Sequence, residues 1–521
     1  MSADRAPAAA VPQVNPWVVA VAVMFATFIE ILDTTVVNVS LPHIAGSLSA
    51  SIDESTWVLT SYLVANAIVL PLTGWLANHF GRKRILMLSV SGFTAASFLC
   101  GLAPNLGLLV AFRVVQGLTG GALQPLSQAV LLEAFPPRDR GKAMGFWGLG
   151  IVVAPILGPV VGGWLTDSYS WRWVFYINLP VGIASIVMTK LFIFDPPYVS
   201  RKTETIDYWG IGMLAVGIGA LQILLDLGQQ KDWSGEIRIL ALVAAVGLVV
   251  FVWHELRTEH PVVDLRVFKV RTYSAGVFLM TVLGFVLFGS LVLLPIMLQT
   301  LLGYPSLQAG IAMAPRGMGS FLAMPLVGML VARVDPRKLL ALGLVGGAFT
   351  LYWLGQLDLS AGYWDIFWPQ LIQGMSLGLI FVPLTTITMD PIPKEVMGNA
   401  TSLFNLMRNI GGSVGIAVAT TLIARRSQAN MAILGAHVSA YDPTTRSMLE
   451  GLRGSMMARG ADLATATERA HAVLFGLVAR QASMLAFVGV FRLLALIFLL
   501  MLPLLLIMTT PRHRRAGAPM H

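Results

Sequence analysis

The sequence predicts an all-α membrane protein with fourteen transmembrane helices. Three observations carry that expectation: low charge density, long apolar runs between short charged loops, and a repeat relating two halves of the chain. Of 521 residues, 56% are hydrophobic and 12% are charged. A soluble domain carries about 25% charged residues. A helix needs ~20 largely apolar residues to cross a bilayer core, and runs of that length follow one another along the chain. The single cysteine, Cys100, lies inside one of them. A disulfide framework within one chain is therefore excluded, and Cys100 reads as a small buried hydrophobe.

The expected spans cover 17–42, 55–77, 85–103, 108–132, 142–166, 172–194, 207–227, 237–256, 272–302, 307–332, 338–356, 364–389, 397–424 and 483–509. The ninth and tenth are separated only by 303–306, where Tyr304-Pro305 marks a turn. The first run is too long for the core of a signal peptide and has no small-residue cleavage site, so it reads as a span. Lys and Arg alternate in density from loop to loop. The N-tail, 78–84, 133–142, 195–206, 257–271, 333–338, 390–396 and the C-tail together hold 20 of them. The opposite short loops hold only Arg172, Lys231 and Arg238. Cytoplasmic loops are the positive ones, which places both termini in the cytoplasm and the long 425–481 loop outside. That loop contains two helical stretches, 444–457 and 463–477. The same distribution accounts for the net charge of +9 without nucleic acid.

The repeat runs at a nearly fixed offset. Gly74-Trp-Leu-Ala-Asn-His-Phe-Gly-Arg-Lys-Arg84 recurs weakly from Gly328 onward, 254 residues later. Gln116-Gly117 with Gly121 recurs as Gln373-Gly374 with Gly378, at 257. Gly141, Ala154 and Gly158 recur as Gly398, Gly411 and Gly415, again at 257. Three matches in order at one spacing imply a duplicated unit. The expected organisation is a cytoplasmic N-tail (1–16), a six-helix bundle (17–194), two inserted helices with cytoplasmic linkers (195–271), a second six-helix bundle (272–510, including the outer loop 425–481) and a cytoplasmic C-tail (511–521). Parallel six-span repeats bind substrate between the two bundles near the midplane.

Two acids stand out in the first span. Glu30 and Asp33 are three residues apart and share a helix face. A carboxylate in a bilayer core costs on the order of 2.5–3.5 kcal/mol on insertion scales, and two close buried acids do not both ionise easily. A proton carrier has that requirement. Arg113, in the fourth span, is permanently charged and needs a partner or a wet cavity. An Asp33–Arg113 pair would be either a structural tie or a switch whose acid alternates between a proton and the arginine. In the fifth span, Pro155 and Pro159 free backbone carbonyls, while Gly158, Gly162 and Gly163 let a neighbouring helix approach. Gly74, Asn78, Gly81, Arg82 and Lys83 lie in a tight cytoplasmic turn, read as a gating loop. Polar residues at membrane depth usually face a cavity. Asn38, Gln116, Gln124, Gln370, Gln373, Asn405, Arg408 and Asn409 are the candidates for lining a substrate path. The eight histidines have no metal spacing. No phosphate loop, catalytic triad or aromatic-basic nucleic-acid patch is present, so neither an enzyme nor a cofactor or metal site is expected.

These residues resemble a known family. Gly74 with Gly81-Arg82-Lys83 is similar to motif A of the major facilitator superfamily, Arg113 with Gln116-Gly117 to motif B, and Ala154-Pro155, Gly158-Pro159 and Gly162-Gly163 to motif C, the antiporter motif. Leu32-Asp33-Thr34, Asn38 and Pro42 resemble the first-span motif of the fourteen-span drug:proton antiporters. Over nearly its whole length the chain resembles EmrB-type multidrug exporters. The resemblance implies the major facilitator fold as 6+2+6 helices in a bacterial inner membrane, with hydrophobic toxic compounds exported in exchange for protons. It implies Asp33, Glu30 and Arg113 as the proton-coupling residues. In a Gram-negative cell it implies a membrane fusion adaptor and an outer-membrane channel as partners. One departure is Asn78, where motif A usually carries Asp, so any latch there is non-ionic. Two other readings use the same sequence: a proton-linked importer of a small organic solute, which motif C argues against, and a non-transporting scaffold or receptor, which has no use for two mid-span acids.

Overall fold

The computed structural model describes residues 15–195, 207–228, 235–259, 261–439 and 441–508. The N-tail to residue 14, Arg201 and Lys202, Lys231 and the C-tail, all used in the charge count above, lie outside the described residues. Hydrocarbon cannot hydrogen-bond a backbone, so a spanning chain must satisfy its own N–H and C=O groups. Among the described residues every regular element is helical. The first six are α1 (Pro16–Ser47), α2 (Trp57–Phe80), α3 (Arg82–Leu102), α4 (Leu106–Ala134), α5 (Arg140–Ser168) and α6 (Trp173–Phe192). Two follow, α7 (Tyr208–Leu227) and α8 (Gly235–Arg257). The remainder are α9 (Arg271–Thr300), α10 (Ser306–Leu330), α11 (Pro336–Leu354), α12 (Tyr363–Met389), α13 (Met397–Ala436), α14 (Pro443–Ala458) and α15 (Leu463–Leu500).

Twelve helices are long and apolar enough to cross a membrane among the described residues. The helices at the tenth and eleventh expected spans, α10 and α11, are not among the twelve. Arg316, Pro315 and Pro325 interrupt the apolar run of α10, and α11 opens on Pro336-Arg337-Lys338.

The helix pairings near the two ends of the chain correspond. In the first group α1 lies on α5, α4 on α2 and α3, and α6 on α1 and α3. In the last group α9 lies on α13, α12 on α10 and α11, and α15 on α9 and α11. The second set of pairings is the first set shifted by the repeat offset. The helix α7 touches both groups, through α2 and α13, whereas α8 packs chiefly on α7. Only 17% of the apolar stretch of α8 is buried, which leaves most of its apolar surface exposed.

The two groups meet mainly through α5 on α10 and through α13 on α2 and α4. Glycines set the approach. A Cβ on Gly74 would lie 2.5 Å from the Asn399 backbone nitrogen, and one on Gly141 would lie 3.0 Å from the Gly328 carbonyl oxygen. Both contacts are at the end of the protein that bears the basic loops, and they close it.

Two sequence expectations change here. The 425–481 region is mostly helix rather than loop. At 1.5 Å per residue, the 40 residues of α13 extend about 60 Å, roughly twice a hydrocarbon core of about 30 Å. α13 therefore continues past the bilayer to Ala436, and α15 starts at Leu463, well before the span expected from 483. The 444–457 and 463–477 stretches fall within α14 and α15. The tight turn expected between Gly74 and Arg84 is a single residue. α2 runs to Phe80 and α3 starts at Arg82, so Gly74, Asn78, Arg82 and Lys83 are helical. Only Gly81 breaks the helix, at φ +94°, a backbone region in which a Cβ is strained.

Candidate functional site

α1 delivers Asp33 into the middle of the first helix group, and the neighbouring helices converge on its carboxylate. Asp33 Oδ2 accepts a 2.5 Å bond from Arg113 Nη1 on α4. Its Oδ1 accepts from Gln116 Nε2 at 3.0 Å and from Asn178 Nδ2 on α6 at 2.7 Å. All four side chains are fully buried. Arg113 also donates to the Val58 carbonyl at 2.9 Å and to Gln116 Oε1 at 2.8 Å, and its guanidinium sits 4.2 Å from the centre of the Tyr62 ring. Asn178 is held in turn by Ser97 Oγ at 3.0 Å. Charge-assisted bonds of this kind are about twice as strong as neutral ones, and the cluster holds a buried carboxylate in one position.

Glu30 lies one turn earlier in a different neighbourhood. Its Oε1 accepts from Asn66 Nδ2 on α2 at 3.0 Å, while its buried Oε2 has no hydrogen-bond partner. The charge of Arg408, on α13 in the other group, acts on Glu30 across the interface. Arg408 Nη2 donates to Gln124 Oε1 on α4 at 2.5 Å and to Asn409 Oδ1 at 3.2 Å. Asn405 Nδ2 donates to Gln128 Oε1 at 2.5 Å. Gln370 Nε2 donates to Gln373 Oε1 at 3.3 Å on α12.

The candidate residues therefore fall into three sets. Asp33, Arg113 and Gln116 share one cluster. Glu30, Gln124, Asn405, Arg408 and Asn409 gather where α1, α4 and α13 meet. Gln370 and Gln373 lie apart, in the second group. Asn38 is exposed and takes no part in these bonds.

The glycines expected to admit a neighbouring helix divide. Gly158 and Gly162 face α1 directly beyond Asp33. A Cβ on Gly162 would lie 2.9 Å from the Val36 carbonyl oxygen, and one on Gly158 would overlap the Thr35 side chain. Gly163 has open space around it, so it is not part of that seam; one residue further on, the helix has turned it away. Pro155 is half-buried, and the side chain of Pro159 lies outside the described residues.

At the closed end, Arg82 is buried and forms an ion pair with Glu133. It also donates to the Lys394 carbonyl at 3.4 Å. The Lys83 backbone N–H donates to Asp195 Oδ1 at 2.8 Å. Asn78 is half-buried.

Sequence reasoning missed Asn178, Asn66, Tyr62 and Glu133. Asn66 and Asn178 were both inside expected spans, and a polar side chain at that depth is a candidate by default. Asn178 sits close to a span start, where a polar residue looks interfacial.

A family model for the Major Facilitator Superfamily matches residues 23–416. The multidrug export protein EmrB of Haemophilus influenzae is 42% identical over 430 residues, covering 82% of this chain and 84% of its own length. The fatty acid resistance protein FarB of Neisseria gonorrhoeae is 38% identical over 495 residues, covering 94% and 96%. The Escherichia coli K12 EmrB is 39% identical over 448 residues, covering 84% and 86%. Among solved structures, the human organic anion transporter MFSD10 aligns with a TM-score of 0.61 at 13% identity, covering 94% of this chain and all of that one. The proton:xylose symporter XylE aligns at 0.58 and 16%, covering 92% and 94%. At such identities these two structures speak for the fold alone.

Proposed function

The chain belongs to the major facilitator superfamily, among its EmrB-type members, and from that premise we propose that it is a proton-driven antiporter that exports hydrophobic toxic small molecules. The observation that carries the reading is the Asp33 carboxylate, fully buried and bonded to Arg113, Gln116 and Asn178. A transporter that exchanges a proton for cargo needs a buried acid with two stable states. Ionised, Asp33 is held by Arg113. Protonated, it no longer has the charge that fixes the arginine, and α1 and α4 are free to shift against each other. Glu30 extends this to the other helix group, because its unbonded oxygen lies under the influence of Arg408. Gln124, Asn405 and Asn409 would line the path beside it, while Gln370 and Gln373 lie apart, inside the second helix group. The α1–α5 seam at Gly158 and Gly162 and the closed end at Gly74 are the surfaces that would slide and open. The names of the relatives, multidrug export and fatty acid resistance, support apolar compounds as cargo.

In this reading α1–α6 and α9–α13 with α15 are the two rocking bundles, α7 and α8 are an insertion, and fourteen helices cross the inner membrane of a bacterium, with both termini cytoplasmic. α10 and α11 then cross with apolar faces such as Phe321, Leu322, Leu342 and Phe349 turned outward, Arg316 turned inward, and Arg337 and Lys338 in the first turn of α11. α14 and the overhanging ends of α13 and α15 form an outer platform of the kind that a membrane fusion adaptor leading to an outer-membrane channel would grip.

The test is Asp33→Asn in proteoliposomes. An outward pH gradient should drive uptake of a dye such as ethidium with the native protein and fail to drive it with the variant. Full proton-linked transport by Asp33→Asn would sink the proposal.

A further inference from the structure

The second helix group has its own counterpart of the Asp33 cluster, and its charge is inverted. Shifting by the repeat offset of 257 residues carries Glu30 to Leu287, Asp33 to Ser290, Arg113 to Gln370 and Gln116 to Gln373. Leu287, Ser290 and Gln373 all line one small cavity inside the second group. The acid and its arginine partner are both gone from it. In their place a different cation enters, Arg316 on α10, which lines the same cavity. Arg316 is only 7% exposed, and among the described residues no hydrogen bond or ion pair engages its guanidinium. The nearby Gln370 Oε1 is also buried without a partner.

A guanidinium that makes no protein hydrogen bond and opens onto a chiefly apolar cavity is poorly satisfied by its surroundings, and arginine cannot discharge by losing its proton. The rest of the lining is chiefly apolar, with Leu283, Val286, Ile380 and Phe498 on the walls, and the Ser290 and Ser376 hydroxyls there already donate to the Leu287 and Ile372 carbonyls. We propose that this cavity is an anion subsite in which Arg316, assisted by the Gln373 amide, binds the carboxylate head of an amphipathic substrate. The assignment rests on the exporter reading above for the statement that the ligand is cargo. An arginine fork matches a carboxylate in a bidentate manner. A small inorganic anion would exchange its hydration for apolar walls and few donors, whereas a carboxylate on an alkyl chain suits both the cation and the walls.

The experiment uses the full chain in detergent micelles, with decanoate, ethidium and chloride as probes and intrinsic tryptophan fluorescence as the readout. Decanoate should bind saturably to the native protein. Arg316→Gln should weaken it about tenfold or more, the loss of one charged contact, while ethidium binding stays within about twofold of native. Arg316→Lys should lose less. Ser290→Asp restores an acid where the first group has Asp33 and supplies an internal partner for Arg316. It should exclude decanoate to a similar degree, and it serves as the second variant if Arg316→Gln elutes as aggregate. The subsite is overturned if native protein binds no decanoate, if Ser290→Asp leaves decanoate binding unchanged, if Arg316→Gln weakens both organic probes alike, or if chloride alone shows Arg316-dependent binding. Proton-driven ethidium transport in vesicles is read separately. Its absence alongside Arg316-dependent decanoate binding would remove the exporter reading and leave the site, and the reverse pattern would remove the site and leave the exporter.

Discussion

Removing either partner of the Asp33–Arg113 pair should destabilise the protein, and the two removals should differ in size. Arg113→Met takes away the guanidinium and leaves Asp33 fully buried among Gln116, Asn178 and apolar neighbours. Breaking a buried pair from one side costs about 3–5 kcal/mol, because the remaining charge is uncompensated. Asp33→Asn leaves Arg113 better provided for. The guanidinium keeps the Val58 carbonyl at 2.9 Å, Gln116 Oε1 at 2.8 Å and the face of Tyr62 at 4.2 Å, and the new amide oxygen can still accept. That loss is closer to a single hydrogen bond to a charged group, about 1.5–3 kcal/mol. The double variant, with neither charge, should be more stable than Arg113→Met alone. Unfolding by sodium dodecyl sulfate in mixed micelles, followed by circular dichroism, measures all three. Equal losses in the two single variants, or single effects that add to the double within about 0.5 kcal/mol, would refute the view that this pair is one coupled unit.

Other consequences can be checked more briefly. Asn178→Leu removes one of the two donors to Asp33 Oδ1 and should impair proton-driven transport severalfold at unchanged expression, read in the same vesicles. Gly74→Val places side-chain atoms where the Asn399 backbone lies. It should part α2 from α13 and raise the labelling rate of a cysteine placed at Thr401, whereas an unchanged rate would show that this end is not closed by that contact. The helices α14 and α15 should respond to acid. The Thr445 amide holds the Asp442 carboxyl below its ordinary range, and Thr465 does the same for Asp462. The stability they lend α14 and α15 is therefore present above the ordinary carboxylate range and is lost as pH falls through their lowered values. Hydrogen exchange of the first turns of α14 and α15 should rise in acid, and Asp442→Ala should abolish the effect for α14.

Much of the fold was legible because hydrocarbon imposes a single local solution. A run of apolar residues must become helix, and the alternation of basic loops orders the helices. α10 was legible for a different reason: its start is marked by the Tyr304-Pro305 turn, even though Arg316 depresses its apolarity. The 425–481 region reads as a loop because the hydropathy signal fades before the helix does in α13, which runs on to Ala436. Backbone hydrogen bonding continues in water without any apolar run to announce it. At the site, Asp33 and Arg113 were legible because charge at membrane depth is conspicuous, and Gln116 because it lies one turn after Arg113 in the same polar stretch. Asn178 and Tyr62 were not, since neither bears a charge and their contacts join α6 and α2 to residues on α1 and α4 that are far apart in sequence.

The two acids illustrate how little separation a mechanism of this kind needs. On a helix, residues three apart are rotated by about 60° and raised by about 4.5 Å. That is enough to put Asp33 inside one helix group, with every hydrogen bond to its carboxylate supplied from α4 and α6, and Glu30 at the border with the other, facing Asn66 on one side and the field of Arg408 on the other. The proposed cycle assigns them different work on that basis. A proton on Asp33 changes how α1 sits against α4, a rearrangement internal to one bundle. A proton on Glu30 changes the attraction between α1 and α13, which belong to different bundles. An acid confined to one bundle cannot by itself bias how the two bundles meet, and an acid at the border cannot by itself be shielded from cargo. Glu30→Gln should therefore loosen the link between proton movement and bundle closure while sparing the Asp33 cluster. The expected result is proton leak without cargo, read as faster collapse of an imposed pH gradient in vesicles that contain no dye. A Glu30→Gln protein as tight to protons as the native one would assign coupling to Asp33 alone.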